Sequence, residues 1–206
     1  MSLKSSIVAQ FGKPSGLWGA LAGQIMANRP SNRFRNARTV ELLQLKPVAR
    51  VLEIGCGPGL ALANCAQIIT SGRIVGLDHS GVMIRQARDR LDRAGTADRA
   101  ELVEGGIERL RDWPEAFDRV FSLNVIQFQD DKQAFYRAVH AVLLNGGACL
   151  TTYQPRLSKK AAGAARSMIS TIECALADAG FADVSTVEII GGDAPATCVI
   201  GYKPST

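Results

Sequence analysis

Histidine is scarce in this chain of 206 residues, where only His79 and His140 occur, and no two of the five cysteines stand in C-x-x-C spacing. Both absences argue against a zinc site built from cysteine and histidine ligands, so no metal is expected. An odd number of cysteines also argues against a framework of disulfides. We expect buried free thiols in a reducing compartment at Cys56, Cys65, Cys149, Cys174 and Cys198.

Long apolar runs are missing as well. No stretch approaches the roughly 18 consecutive apolar residues of a transmembrane helix, so no membrane span is expected. The opening sequence MSLKSSIVAQ lacks the long apolar core of a secretory signal. The cytoplasm is therefore the expected location.

No strong charge of one sign is present, since 24 basic residues stand against 19 acidic ones, for a net charge of +5. Arginines cluster at 29–38 and 85–93, but Asp89 and Asp92 dilute the second cluster, which is typical of a solvated helix face. A nucleic-acid partner is not favoured, because such proteins concentrate their positive charge. The length and the 47% share of apolar residues fit a single globular domain over residues 1–206.

From Arg50 onward, strand-like and helix-like segments alternate. The predicted strands lie at 50–54, 73–78, 100–104, 117–122 and 147–153. The predicted helices lie near 59–71, 80–94, 107–113 and 131–145, the last followed by Gly146 and Gly147. Such alternation implies right-handed crossovers and a parallel sheet with helices on both faces.

The C-terminal part ends differently. A predicted helix at 161–179 is followed by strands at 183–190 and 196–202, which the short Gly191–Pro195 connection joins. Because so short a connection has no room for a crossover helix, the last two strands must be antiparallel. We therefore expect an α/β sandwich that ends in a hairpin.

The residues before the sheet form a segment of another kind. Residues 7–30 contain several large apolar side chains and no strand, and Ser31 is the expected N-cap of a helix with Phe34 and Val40 on its apolar face. We interpret residues 1–46 as a helical lid or extension on a core of residues 47–206. The alternative is a helix packed permanently on the flank of the sheet.

The most informative stretch is the glycine-rich turn of Val51–Gly59, VLEIGCGPG, which follows the first strand. Glycines let the backbone bend sharply, and without a Cβ they let a ligand approach closely. In open parallel sheets, ligands bind at the carboxyl ends of the strands, where the strand order reverses. This turn is therefore the candidate ligand site.

Asp78 ends the second strand, 23 residues beyond Gly55. A carboxylate there is placed to accept hydrogen bonds from the two hydroxyls of a ribose, although a helix cap is the alternative. The turn has Leu60 where a dinucleotide fingerprint needs glycine, Pro58 lacks an N–H for a pyrophosphate, and no lysine supports a P-loop. A ligand with a ribose but no phosphate fits best.

The glycine turn and Asp78 resemble those of the class I S-adenosylmethionine-dependent methyltransferases, and the resemblance covers about residues 35–203. In that family the E-x-G-x-G-x-G turn holds the methionine and ribose parts of the cofactor. The resemblance implies S-adenosylmethionine as cofactor and a Rossmann-like, doubly wound sheet of seven strands, mostly parallel with an antiparallel C-terminal hairpin. The sequence most resembles the small-molecule branch related to ubiquinone and menaquinone biosynthesis.

The resemblance also implies the cofactor-binding residues. They are Glu53, Gly55, Cys56, Gly57 and Gly59 in the turn, Asp78 on the ribose, His79 and Met83 beside the adenine, Gly106 and Ile107 after the third strand, and Asn124 after the fourth. One departure is Gly106, which stands where family members often have an aspartate for the adenine amino group. Adenine contact is then left to the backbone near Ile107 or to Glu108.

The expected activity is in-line methyl transfer to a small-molecule acceptor, in a pocket lined by Phe11, Trp18, Gln127 and Tyr153. No catalytic residue is assigned, because the cofactor brings an activated methyl group and the protein mainly aligns it and excludes water. One alternative is a non-catalytic S-adenosylmethionine-binding regulator or subunit. The other is an NAD(P)-dependent oxidoreductase, against which Pro58 argues. A monomer or a homodimer is expected.

Overall fold

The computed structural model describes residues 29–114, 116–155, 161–191 and 195–205. The strands are β1 (Arg50–Ile54), β2 (Arg73–Asp78), β3 (Ala100–Glu104), β4 (Phe117–Leu123), β5 (Leu143–Tyr153), β6 (Ala182–Ile189) and β7 (Ala196–Tyr202). The α-helices are α1 (Pro30–Leu42), α2 (Leu60–Ile68), α3 (Gly81–Arg93), α4 (Lys132–Val142) and α5 (Ala161–Asp178). Short 3-10 turns occupy Ala97–Arg99, Ile107–Asp112 and Ile126–Phe128.

All seven strands form one sheet in the order β3-β2-β1-β4-β5-β7-β6. The first five strands are parallel, and β7 lies antiparallel between β5 and β6. The predicted α/β fold with an antiparallel C-terminal hairpin is therefore confirmed. The strand order reverses between β1 and β4, so the carboxyl ends of these two strands border the crevice where such sheets bind ligands.

Helices cover both faces of the sheet. Side chains of a buried strand point alternately to its two faces, and in β1 Val51 packs on one side while Leu52 packs on the other. The Val51 side holds apolar residues of α1, α2 and α3, together with their flanking residues, such as Leu43, Leu62 and Ile84. The Leu52 side holds those of α4 and α5. Burial on both faces explains why the central strands are continuous apolar runs.

Helix α1 runs along β5 in the opposite direction. The hydroxyls of Thr39 and Thr152 are 2.9 Å apart and fully buried, which fixes the second half of the helix to the strand. Just past the helix end, the carbonyl of Leu43 accepts from Arg119 Nε at 3.0 Å. The start of α1 therefore lies toward the carboxyl ends of the strands, and its end lies toward their amino ends.

Two expectations for this helix are wrong. Helix α1 begins at Pro30 with Arg29 as its N-cap, not at Ser31, because proline has the φ of a first helical residue already fixed. Its buried face contains Arg35, Asn36, Thr39 and Val40, whereas Phe34 is 39% exposed. Polar contacts with β5, and not an apolar stripe, determine which face of the helix is buried.

The predicted end of α4 is also wrong. The helix stops at Val142, and Leu143 already pairs with Phe117 in the sheet. The next regular pair is Arg119 with Ala148, so a bulge holds the extra residues of β5. Gly146, with a φ of +74°, lies inside that bulge. The two glycines therefore serve a bent strand and do not follow the helix.

Four of the five cysteines are buried free thiols as predicted, but Cys174 is exposed on α5. Its helix packs on the sheet through residues such as Ile172 and Leu176, which point the other way. Within the described ranges, no helix has the length and apolarity needed to cross a membrane.

Candidate functional site

The glycine turn joins β1 to α2 at the carboxyl end of the sheet. Backbone N–H groups of Gly55 and Cys56 both donate to the carbonyl of Leu77, at 2.7 and 3.0 Å, which ties the turn to the end of β2. Gly55, Gly57 and Gly59 have φ values of +69°, +52° and +75°. L side chains rarely adopt this left-handed conformation, so three glycines are needed for this path of the chain.

The three glycines face different surroundings. A Cβ on Gly55 would lie 2.4 Å from Val125 Cγ2, and one on Gly59 would lie 2.9 Å from Ala87 Cβ. These two glycines therefore allow close packing within the protein. Among the described residues, a Cβ on Gly57 would meet nothing within 4 Å. The open space that a ligand needs lies over Gly57.

Asp78 accepts hydrogen bonds from the turn after β1 and from the loop after β2. One carboxylate oxygen accepts from the N–H of Gly57 at 2.8 Å, and the other accepts from the N–H of Ser80 at 2.9 Å. Burial raises the pKa of Asp78, while these two hydrogen bonds and the neighbouring His79 act against that rise. The carboxylate thus positions the turn after β1 and the loop after β2, and each oxygen retains lone pairs for a ligand hydroxyl.

Glu53 lies buried beneath the turn, with 3% of its surface exposed. Among the described residues, its Oε2 atom has no hydrogen-bond partner. Desolvation, followed by repulsion from Asp78, raises the pKa of Glu53 well above its ordinary value. A ligand that brings a positively charged or N–H group to this carboxyl would satisfy its orphaned oxygen.

Cys56 lies between Gly55 and Gly57 of the turn and is buried. Burial raises the pKa of its thiol well above the ordinary value, and the charges of Glu53 and Asp78 add to the rise. The nucleophilic form of cysteine is the thiolate, which these surroundings disfavour. Cys56 is therefore a packing residue of the turn, as expected.

The remaining residues predicted for the adenine side lie around the ends of β2 and β3. His79 is half exposed, with Nδ1 at 3.8 Å from Asp78 Oδ1, and Met83 is buried in α3. The N–H of Gly105 donates to the carbonyl of Asp78 at 2.9 Å, which joins the two loops. The N–H of Gly106 donates to Glu108 at 2.9 Å, and Ile107 begins the 3-10 turn that follows.

A second group of polar residues lies at the ends of β4 and β5. Asn124, with a φ of +55°, accepts the N–H of Gln154 on its side-chain oxygen at 2.8 Å. Gln127 donates from its amide nitrogen to the carbonyl of Asn124 at 2.8 Å, and its own buried Oε1 has no partner among the residues that the structure describes. Tyr153 is half-buried beside them. Phe11 and Trp18, also predicted for the substrate pocket, lie outside the described residues.

Sequence reasoning missed two members of this second group. Arg35 of α1 is buried and donates from Nη1 to the side-chain oxygen of Gln154. The available signal in the sequence was an arginine among the polar residues that open the helix. Within the described parts of the chain, no cluster of three or more histidine, cysteine or acidic side chains is placed to hold a metal ion.

Several known proteins are similar in sequence to this chain. A protein family described as a methyltransferase domain matches residues 51–147, from β1 into β5. The malonyl-[acyl-carrier protein] O-methyltransferase of Legionella pneumophila is 32% identical over 127 residues, which cover 60% of this chain and 44% of that one. The uncharacterized methyltransferase YdaC of Bacillus subtilis is 26% identical over 190 residues, which cover 90% of this chain and 99% of the relative.

These relatives differ in length. The chain spans less than half of the Legionella enzyme but nearly all of the Bacillus protein. Among solved structures, a chain from the complex of the Haloferax volcanii Trm112 methyltransferase activator with a methyltransferase superposes with a TM-score of 0.75. The identity is 17%, and the match covers 90% of this chain and 94% of that one. This likeness shows the shared fold.

Proposed function

We propose that this chain is a class I S-adenosylmethionine-dependent methyltransferase, which carries the methyl group of that cofactor to a small-molecule acceptor. The observation that carries the proposal is the open space over Gly57, together with two acidic groups of the site: the Asp78 carboxylate, which accepts the N–H of Gly57, and the buried Glu53 with its unsatisfied oxygen. A nucleoside with a cationic amino-acid tail matches both acidic groups. The cofactor is S-adenosylmethionine, whose sulfonium supplies an activated methyl group when it is bound.

The residues around the open space have separate roles in this proposal. The turn from Glu53 to Gly59 holds the methionine and ribose parts, with Glu53 accepting from the ammonium group. Asp78 accepts from the ribose hydroxyls. The adenine side is formed by His79, Met83, Gly106 and Ile107, and Asn124 borders the end that carries the methyl group. The support for these roles is that the loops after β1, β2, β3 and β4 all end at this edge of the sheet.

The chain's own contribution to catalysis is alignment. In-line transfer from a sulfonium needs the acceptor atom held on the methyl axis and water excluded, and needs a general base only if the acceptor is poorly ionised. The neutral amides of Asn124 and Gln127 border the acceptor side, where they bind and orient rather than exchange protons. We assign the acceptor pocket to Gln127 and Tyr153, with Phe11 and Trp18 contributed by the N-terminal segment.

The N-terminal 46 residues form the cover of this site in our proposal, and residues 47–206 form the core. Helix α1 supports the first part, because it lies against β5 with its start toward the carboxyl ends of the strands. The free cysteines support a reducing location such as the cytoplasm. Either a monomer or a homodimer is compatible with the arrangement of the site.

Calorimetric titration with S-adenosylhomocysteine tests the proposed cofactor site. The expected dissociation constant is micromolar, about −8 kcal/mol. Asp78→Ala should weaken binding by about 2–4 kcal/mol, because charge-assisted hydrogen bonds are lost. Gly57→Val should abolish binding, because its side chain fills the open space.

Two control variants separate these effects from general damage. Asp118 also accepts a backbone N–H, that of Arg50 at 2.7 Å, but at the amino end of β1, so Asp118→Ala should leave the affinity unchanged. Gly95 has a φ of +64° and nothing within 4 Å of its added Cβ, so Gly95→Val imposes the same backbone strain away from the site. Equal losses in a site variant and its control would contradict the assignment.

A further inference from the structure

The start of α1 brings one cation to the acceptor side of the site. Thr39 bonds to Thr152, and Arg35, one helical turn earlier, bonds to Gln154, two residues further along the chain from Thr152. Four helical residues rise about 6 Å and two strand residues rise about 6.6 Å. The helix and the strand therefore advance by nearly equal distances between these two contacts. The Arg35 guanidinium consequently lies at the carboxyl end of β5, beside Asn124 and Gln127.

The partners of this guanidinium are neutral. Arg35 donates to the side-chain oxygens of Gln154 and Asn32, the second at 2.5 Å, and both are amides. None of the ion pairs found within 4.0 Å among the described residues includes Arg35. Residues 1–28 contain no aspartate or glutamate, and the acids outside the described ranges are Glu115 and Asp193. Among the described residues, Arg35 therefore has amide partners where a buried arginine ordinarily has an acid.

Burial makes this arrangement costly. Arg35 has 8% of its surface exposed, and its buried Nε atom has no hydrogen-bond partner in the described parts of the chain. Desolvation lowers the pKa of the guanidinium, yet an arginine keeps its charge in proteins. A buried charge is stabilised only when it is paired and its donors are bonded. A ligand anion would supply both the missing charge and the missing acceptor.

We propose that Arg35 binds a carboxylate group of the methyl acceptor, which makes the acceptor class a small carboxylic acid. The inference rests on the proposed methyl transfer and specifies its substrate. A single guanidinium matches the one negative charge and the two oxygens of a carboxylate. The other buried cation, Lys203, bonds to the Leu143 carbonyl at 2.8 Å, at the far end of β5, and does not add charge for a phosphate dianion.

Two further features fit a bound acid. Asn32 and Gln154, the amide partners of Arg35, are only half-buried, so a ligand reaches the guanidinium from their side. The unpartnered Oε1 of Gln127 accepts from a hydroxyl or N–H on the same molecule. A carboxylate paired with arginine is held in place and made less nucleophilic. Arg35 is thus a binding residue, and another atom of the acceptor receives the methyl group.

Fractionation of metabolites by charge tests the proposed acceptor class. A metabolite extract is divided by anion exchange at pH 8 into retained and unretained fractions, and each fraction is incubated with the protein and methyl-tritiated S-adenosylmethionine. Label should enter products only from the retained fraction. Conversion of carboxylates to methylamides with a carbodiimide should abolish that labelling, whereas alkaline phosphatase treatment should leave it intact. Labelling from the unretained fraction, or loss after phosphatase treatment, would overturn the proposal.

Three variants test whether Arg35 binds the negative charge of the acceptor. Arg35→Gln should raise the amount of retained fraction needed for half-maximal rate by about 10- to 100-fold, with the affinity for S-adenosylhomocysteine unchanged. Arg35→Lys keeps the charge without the planar fork and should show a smaller rise. Arg38→Gln removes an exposed arginine from the same helix and should have no effect.

The outcomes separate this inference from the proposed function. If the wild-type protein does not bind S-adenosylhomocysteine, or if neither fraction yields a labelled product, methyl transfer itself is contradicted. The inference then fails with it. Unchanged acceptor dependence in Arg35→Gln, with cofactor binding intact, overturns the role of Arg35 alone. If Arg35→Gln does not fold, Arg35→Lys decides, and an acceptor dependence equal to that of the wild type counts against the proposal.

Discussion

Replacing Glu53 by glutamine should make the ligand-free protein more stable while weakening its cofactor site. The carboxyl is buried, one of its oxygens has no partner, and its pKa lies well above the ordinary 4.5. A folded state that raises the pKa of an acid prefers the protonated form. The contribution of Glu53 to stability is therefore greatest at low pH and is lost as the pH rises from the ordinary value through the folded-state pKa.

The magnitude of this loss has an upper limit. Protonating a carboxyl of ordinary pKa 4.5 at pH 7 costs about 3.4 kcal/mol, because a tenfold change in the protonation equilibrium corresponds to about 1.4 kcal/mol. Glutamine avoids this cost because its side chain carries no charge. Glu53→Gln should therefore raise the free energy of unfolding at pH 7 by at most about 3.4 kcal/mol, and the Tm by roughly 2–4 °C per kcal/mol.

Urea unfolding of the ligand-free protein between pH 4.5 and 8 measures the effect. The difference between Glu53→Gln and wild type should grow with pH. Glu101→Gln is the control, since Glu101 is an exposed partner of Arg73 on β3, and its difference should stay small at every pH. The same Glu53 variant should bind S-adenosylhomocysteine more weakly. A destabilised Glu53→Gln protein with a difference that does not depend on pH would refute the reasoning.

Two further predictions concern the turn and the N-terminal segment. Cys56→Ala should retain most of the methyl-transfer rate, because a buried thiol of raised pKa supplies no nucleophile; complete loss with intact cofactor binding would contradict this. Deleting residues 1–28 should leave a folded protein that still binds S-adenosylhomocysteine, while turnover falls by about a hundredfold as alignment and water exclusion are lost. A deletion that unfolds the chain would instead support a permanently packed helix.

The sequence predicted the centre of the sheet closely. Strands β1, β2 and β3 have the predicted bounds, and for β1 and β2 the reason is that buried runs bounded by glycine, proline and charged residues have little freedom to shift. The glycine turn was equally readable, since left-handed backbone at Gly55, Gly57 and Gly59 demands glycine. The antiparallel hairpin followed from a connection too short for a crossover.

Contacts between distant segments were not readable in the same way. The bulge in β5 depends on its pairing with β4, so Gly146 and Gly147 were assigned to a helix end. The buried face of α1 depends on hydroxyl and amide partners in and just after β5, more than a hundred residues away. Periodicity favoured Phe34 for that face, whereas the structure buries Arg35. A polar interface leaves no apolar pattern for sequence analysis to detect.

Formation of S-adenosylhomocysteine tests the central claim most directly. The protein is incubated with S-adenosylmethionine, with and without a small-metabolite extract, and the demethylated cofactor is measured by mass spectrometry. We predict that S-adenosylhomocysteine accumulates over many turnovers when the wild-type protein and the extract are both present, and that Gly57→Val gives none. Binding of S-adenosylmethionine without any S-adenosylhomocysteine formed above the protein-free control would contradict the account and identify a non-catalytic binding protein.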